Sequence, residues 1–90
     1  MRKEDQMANF KTNKKLLKIG QLSKLVGVLP STINFYTKEG LLQEAARSQG
    51  GYRMYEESYA VQMIKKISKL QEVRRLTIEE IKDLNKKGRL

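Results

Sequence analysis

Cysteine and histidine are both missing from these 90 residues. Without them the chain has no ligands for a structural zinc site of the usual kind, no thiol redox chemistry and no Ser-His-Asp triad. No run of about 18 apolar residues occurs, so no segment reads as a bilayer span. The opening stretch MRKEDQMANFKTNKK has no apolar core of the sort a secretory signal needs, which leads to the expectation of a cytoplasmic protein. No nucleophile-base pair or ligand cluster stands out, and the expectation is a non-enzyme with no cofactor. Acidic residues are outnumbered, 10 against 19 Lys and Arg, for a formal charge of +9. Such a balance favours a polyanionic partner, nucleic acid or an anionic membrane surface, over a merely soluble lysine-rich exterior.

What is present suffices for one domain with a modest core, since 39% of the residues are hydrophobic. Residues 1–17 are mainly polar and basic, and read as an N-terminal arm, disordered or dimerising; Met7, Phe10, Leu16 and Leu17 leave room for a short helix ordered by a partner. Residues 18–90 form the expected folded domain.

Within that domain Ile19, Leu22, Leu25 and Val26 share one helical face, and Gly27 follows where a left-handed residue ends a helix cheaply. Pro30 or Ser31 opens a second helix to Glu39, because the fixed φ of proline suits a first turn, and Gly40 stops it. Two short helices around a tight glycine-containing turn predict a helix-turn-helix. Arg47-Ser48-Gln49-Gly50-Gly51 is a turn cluster ahead of the alternating Tyr52-Arg53-Met54-Tyr55, which predicts a hairpin with strands near 43–47 and 52–55 and Gly50-Gly51 at its tip. Glu56 or Ser58 starts a longer helix whose apolar stripe is Val61, Ile64, Ile67 and Leu70. Thr77-Ile78-Glu79-Glu80 is a capping box for a last helix carrying Ile78, Ile81 and Leu84, closed by Gly88. The expected fold is mostly α: a winged helix-turn-helix in the order α-α-β-hairpin-α-α.

The second helix is the expected reader of duplex bases, through Ser31, Thr32, Asn34, Phe35, Tyr36 and Lys38. Asn34 has the donor and acceptor that match adenine, and Thr32 offers a hydroxyl and a methyl. Ile33 belongs to the core. Phe35 and Tyr36, about 100° apart on the helix, cannot both be buried, and the pattern leaves open which packs inward. In the hairpin Arg47, Gly51, Tyr52 and Arg53 are the expected backbone contacts, since Arg and Tyr donors to phosphate set register without reading sequence. Lys65, Lys66 and Lys69 read equally as a solvated face, the carboxylate pairs Glu56-Glu57 and Glu79-Glu80 as helix-start charges, and Met54 and Met63 as packing residues.

The blocks Ile19–Val28, Ser31–Tyr36, Gly40-Leu41-Leu42, Arg47 and Gly51–Tyr55, in this joint spacing, resemble the N-terminal DNA-binding domain of MerR-type transcription regulators, from about Lys18 to Leu84. The resemblance implies sequence-specific binding of pseudo-palindromic promoter duplex by a homodimer, with deformation of the DNA as part of recognition. By position Ser31, Thr32, Asn34, Phe35, Tyr36 and Lys38 match the family's recognition helix, and Arg47, Tyr52 and Arg53 its wing. The chain departs from the family pattern at Asn34, where relatives usually carry Arg, and at Phe35, where they usually carry Tyr. No small-molecule effector region is evident before Leu90. Other readings of the same features are an excisionase-like or architectural DNA-binding protein, or a protein-interaction module with a basic surface.

Overall fold

The computed structural model describes residues 15–90; the expected arm, apart from its last three residues, lies outside the described residues. Leu16–Lys18 is a strand, β1, which runs directly into the helix Ile19–Val26 (α1). The arm expected over residues 1–17 therefore gives up Leu16 and Leu17 to the folded domain. The reason is a pairing distant in sequence. β1 lies antiparallel to the strand Arg53–Glu56 (β3), with Leu17 opposite Tyr55 and both buried. β3 is the centre of a three-stranded sheet whose other edge is Ala46–Arg47 (β2), in the order β1-β3-β2. The expected hairpin is thus two strands of three; its first strand is shorter than expected, and its second is shifted by one residue toward the helix that follows it. The third strand supplies part of the support that an isolated hairpin lacks.

Local chemistry explains the remaining boundaries. Gln21 Oε1 accepts from the Lys18 N–H at 2.9 Å, satisfying a donor at the start of α1. Gly27 ends α1 at φ +70°, with its N–H returning to the Ser23 carbonyl. The helix Pro30–Lys38 (α2) has proline in its first position, and Gly40 follows its end at φ +80°. Between α1 and α2, Ser23 Oγ donates to the Val28 carbonyl at 2.6 Å and ties the turn shut. The longer helix Glu57–Glu72 (α3) is capped by Glu56, whose carboxylate accepts from the backbone of Ser58 and Tyr59. The capping box of the last helix, Ile78–Lys86 (α4), is present in both directions between Thr77 and Glu80. Arg75, in the turn between α3 and α4, is the one non-glycine residue at positive φ among the described residues, at +57°.

The core joins β1 (Leu17), α1 (Leu22), α2 (Ile33, Tyr36), the following turn (Leu41, Leu42), β3 (Tyr55), α3 (Ala60, Ile64, Ile67) and α4 (Ile81). Three members of the expected apolar faces depart from this pattern. Leu25 is 55% exposed, since α1 is only two turns long and turns its inner side through Leu22 and Val26. Val61 and Leu70 sit at the margin of the core, whereas Ala60 lies at its centre. Tyr55 anchors the middle: its hydroxyl lies 2.8 Å from Thr37 Oγ1, which itself donates to the Ile33 carbonyl. A buried phenol is thereby satisfied by α2. Lys82 of α4 reaches Glu39 at the end of α2 at 2.9 Å, so the last helix also braces the second.

Candidate nucleic-acid interface

α2 has an inner side, Ile33 and Tyr36, and an outer side. Ser31, Phe35 and Lys38 are exposed, and Thr32 and Asn34 are half-buried. The ambiguity between the adjacent aromatics is resolved: Phe35 is 42% exposed, and Tyr36 is in the core. Tyr36 is therefore corrected from a candidate contact to a packing residue. Its hydroxyl donates to Gln71 Oε1 of α3 at 3.0 Å, and burial pushes its phenol above the ordinary value.

The wing tip is a tight turn in which the Gly51 N–H donates to the Ser48 carbonyl, with Gly51 at φ +85°. Of the two tip glycines only Gly51 adopts the left-handed conformation that side chains resist. Tyr52 projects from the tip, 69% exposed. Arg47 and Arg53 are direct partners across β2 and β3, which sets two guanidinium groups side by side. Like charges directly opposite in a sheet repel. Glu44 resolves this: one carboxylate oxygen accepts from Arg47 Nε and the other from Arg53 Nε, each at 2.8 Å. The hydrogen bond from Arg47 holds the Glu44 carboxyl below its ordinary range, against a smaller effect of partial desolvation, with Arg53 adding to the same direction.

The remaining donors of these arginines define where the wing points. Arg47 Nη1 donates to the Gly51 carbonyl at 3.2 Å, and Arg53 Nη1 donates to Asn34 Oδ1 at 2.9 Å. The wing is thereby tied to the outer side of α2 through one side chain, Asn34. The oxygen that would accept from adenine is the one that Arg53 occupies.

Helix, wing and the start of α1 enclose an open cleft of about 560 Å³. It brings together Asn34, Arg47, Gly51, Tyr52 and Arg53 from the expected set. Ser31, Thr32, Phe35 and Lys38 lie on α2 but do not line it. The cleft adds Lys18, Gln21 and Lys24, which are outside the expected site residues, although Gln21 and Lys24 stand opposite the apolar face of α1 and Lys18 is a bare cation at its start. α1 also has no acidic residue in its first turn. A helix start without carboxylates, flanked by lysines and facing two arginines, is a place where an anion is favoured. Glu44 is a further addition, since nothing in its sequence neighbourhood announces a bridge to two residues on different strands.

The chain matches the MerR HTH family of regulatory proteins over residues 5–87. It belongs to that family. It is 37% identical over 67 residues to the mercuric resistance operon regulatory protein of Bacillus cereus, covering 74% of this chain and 49% of that protein. It is 40% identical over 43 residues to the HTH-type transcriptional regulator ZntR of Escherichia coli K12, covering 48% of this chain and 30% of that protein. Among solved structures, the transcription regulator PbrR691 from Ralstonia metallidurans CH34, in complex with lead(II), superposes with a TM-score of 0.67 at 38% identity, over 81% of this chain and 56% of that one. The winged helix-turn-helix fold is the family's fold. The MerR-type chain thus spans about half, or less, of the length of these relatives.

The chain has neither Cys nor His, and the described residues contain no group of three or more metal-ligating side chains. No helix among the described residues is long and apolar enough to cross a membrane.

Proposed function

We infer that this domain binds double-stranded DNA sequence-specifically and regulates transcription, with α2 in a major groove and the wing on the flanking backbone. The observation that carries the reading is the cleft in which the recognition helix, the wing arginines, Lys18 at the end of β1 and Lys24 of α1 meet. Its four cations, Lys18, Lys24, Arg47 and Arg53, come from separate elements and share one opening. A duplex with its base edges against Ser31, Thr32 and Phe35 has its phosphates beside those cations. Lys38, exposed further along α2, extends the same basic line. Tyr52 at the wing tip presents a hydroxyl donor to the next phosphates.

Base readout in this scheme falls to the first turn of α2 and to Phe35. Asn34 contributes by orienting Arg53, which differs from a direct reading of adenine. Phe35, lacking a hydroxyl, offers an apolar edge that suits a thymine methyl or a sugar. A homodimer on a pseudo-palindrome supplies the second half-site, and the working location is the cytoplasm.

The test is selection of bound sequences from a random duplex library, followed by affinity measured across salt. Four phosphate contacts per copy predict an affinity loss of about a hundredfold for one copy between 50 and 200 mM salt, and about the square of that for a dimer. Enrichment of a two-fold symmetric site with that salt slope supports the reading. A flat salt response, or no enriched sequence, sinks it.

A further inference from the structure

A second groove, of about 550 Å³, lies between the end of α3, the start of the turn after it, and the residues that follow α4. It shares no residue with the DNA-facing cleft. Its apolar lining comprises Leu70, Val73, Leu84 and Leu90, and its cations include Lys69, Arg74 and Arg89. Val73, the residue that caps α3, is 67% exposed, an unusual placement for a β-branched apolar side chain. None of these three cations forms an ion pair among the described residues.

One of the cations has a local explanation. Lys69 is in the last turn of α3, where positive charge complements the helix dipole. Arg74 and Arg89 have no such reason to converge on it, since they come from the turn after α3 and from beyond α4. The acidic residues of α4 form no ion pair with these three cations. Glu79, Glu80 and Asp83 line a smaller neighbouring depression, which shares only Arg74 and Leu84 with it, and Asp83 pairs with Lys87 at 3.0 Å.

A groove with this apolar lining and unpaired cations is poorly matched to a phosphate backbone, which offers no apolar surface for Val73, Leu70 and Leu84 to cover. It is also poorly matched to the same face of a second copy, because symmetric pairing would set the cations against one another. It fits an amphipathic helix with leucine-like residues along one face and carboxylates on the flanks. We propose that the groove between α3 and α4 is a docking site for an acidic amphipathic helix of a protein partner, on a surface separate from the DNA-facing cleft. A bound duplex and such a helix then occupy the domain together, which gives a small basic domain a way to recruit a second protein to a DNA site.

The probe is a fluorescein-labelled synthetic helix of about four turns with leucines on one face and glutamates on both flanks. Controls are the same composition scrambled and a version with lysine for glutamate. Fluorescence anisotropy should show the acidic helix binding at least about fivefold more tightly than either control, with Lys69→Glu and Arg89→Glu each removing about fivefold or more of that affinity. Val73→Ser weakens the same interaction without reversing charge. Circular dichroism melts confirm that each variant is folded, and saturating duplex leaves peptide binding unchanged. Equal binding of the scrambled peptide, displacement by duplex, or indifference to Lys69→Glu in a folded variant overturns the proposal. So does self-association in sedimentation that Val73→Ser abolishes, because the groove would then belong to a second copy. The readout does not depend on the DNA reading: peptide binding without duplex binding would sink the proposed function and leave the groove standing.

Discussion

Replacing Asn34 by alanine removes the acceptor that holds Arg53 Nη1 at 2.9 Å. A hydrogen bond with one charged partner contributes about 1.5–3 kcal/mol when buried. Here Arg53 keeps 27% of its side chain open to solvent, which brings the value down to about 1 kcal/mol. In the free protein that contact fixes the guanidinium in place before DNA arrives, so its loss appears mainly as a cost of ordering Arg53 on binding. About 1 kcal/mol corresponds to roughly fivefold in Kd. The assay is a double-mutant cycle: Kd for one selected duplex with the unaltered chain, Asn34→Ala, Arg53→Ala and the pair. Arg53→Ala should weaken all duplexes alike and lower the salt slope by about 1. Asn34→Ala should weaken binding about fivefold on its own and have little further effect once Arg53 is gone. Additivity within about 0.5 kcal/mol would refute the coupling. A loss of about 1–3 kcal/mol confined to one base pair would show instead that Asn34 reads a base directly.

Three further outcomes test the frame that carries the site. Leu17→Ala should cost about 2–4 kcal/mol in urea unfolding, since the side chain is buried opposite Tyr55; a neutral result would put Leu17 back in the arm. Gly27→Ala and Arg75→Gly should act in opposite directions. A Cβ at Gly27 meets nothing within 4 Å, so its cost of about 1–2 kcal/mol is the left-handed backbone alone, whereas glycine at position 75 relieves the same strain and raises the melting temperature by a few degrees; parallel shifts in Tm would contradict this. Glu44 has a folded pKa below its unfolded one, so its contribution to stability is complete above the ordinary carboxylate range and fades as pH falls through the lowered value. Stability of Glu44→Gln should therefore vary less across that acid window than that of the unaltered chain, and parallel pH profiles would rule the bridge out as a source of stability.

Features that depend on neighbours in sequence are legible in the residues themselves. Pro30 at the start of α2, Gly27 at the end of α1 and the Thr77–Glu80 box all act over one helical turn, and all are where their chemistry puts them. Tyr36 and Phe35 are told apart only by the assembled core, which buries Tyr36 and gives its hydroxyl Gln71 as a partner, since a step of about 100° leaves both orientations open. β1 is hidden in the sequence because Leu17 finds its partner in Tyr55, and three residues carry too little alternation to reveal a strand alone. Ala60 escapes the apolar stripe because a small side chain weighs little in such a pattern, although it is buried in the core. Asn34 and Arg53 each stand out by residue type, but for separate duties; the bond between them, and the Glu44 bridge to the wing arginines, belong to the fold's geometry and not to any local spacing.

The sheet order β1-β3-β2 puts Leu16–Lys18 a strand's width, about 5 Å, from the strand that carries Arg53. The front end of the domain and the wing are thus splinted to one another, while the helix-turn-helix lies between them in sequence. A load applied just ahead of Leu16, whether a bound partner or a bulky label, is transmitted to the wing through the backbone ladder and needs no path through the core. A dye placed there would serve as a strain gauge for the wing, responding when Arg53 is gripped.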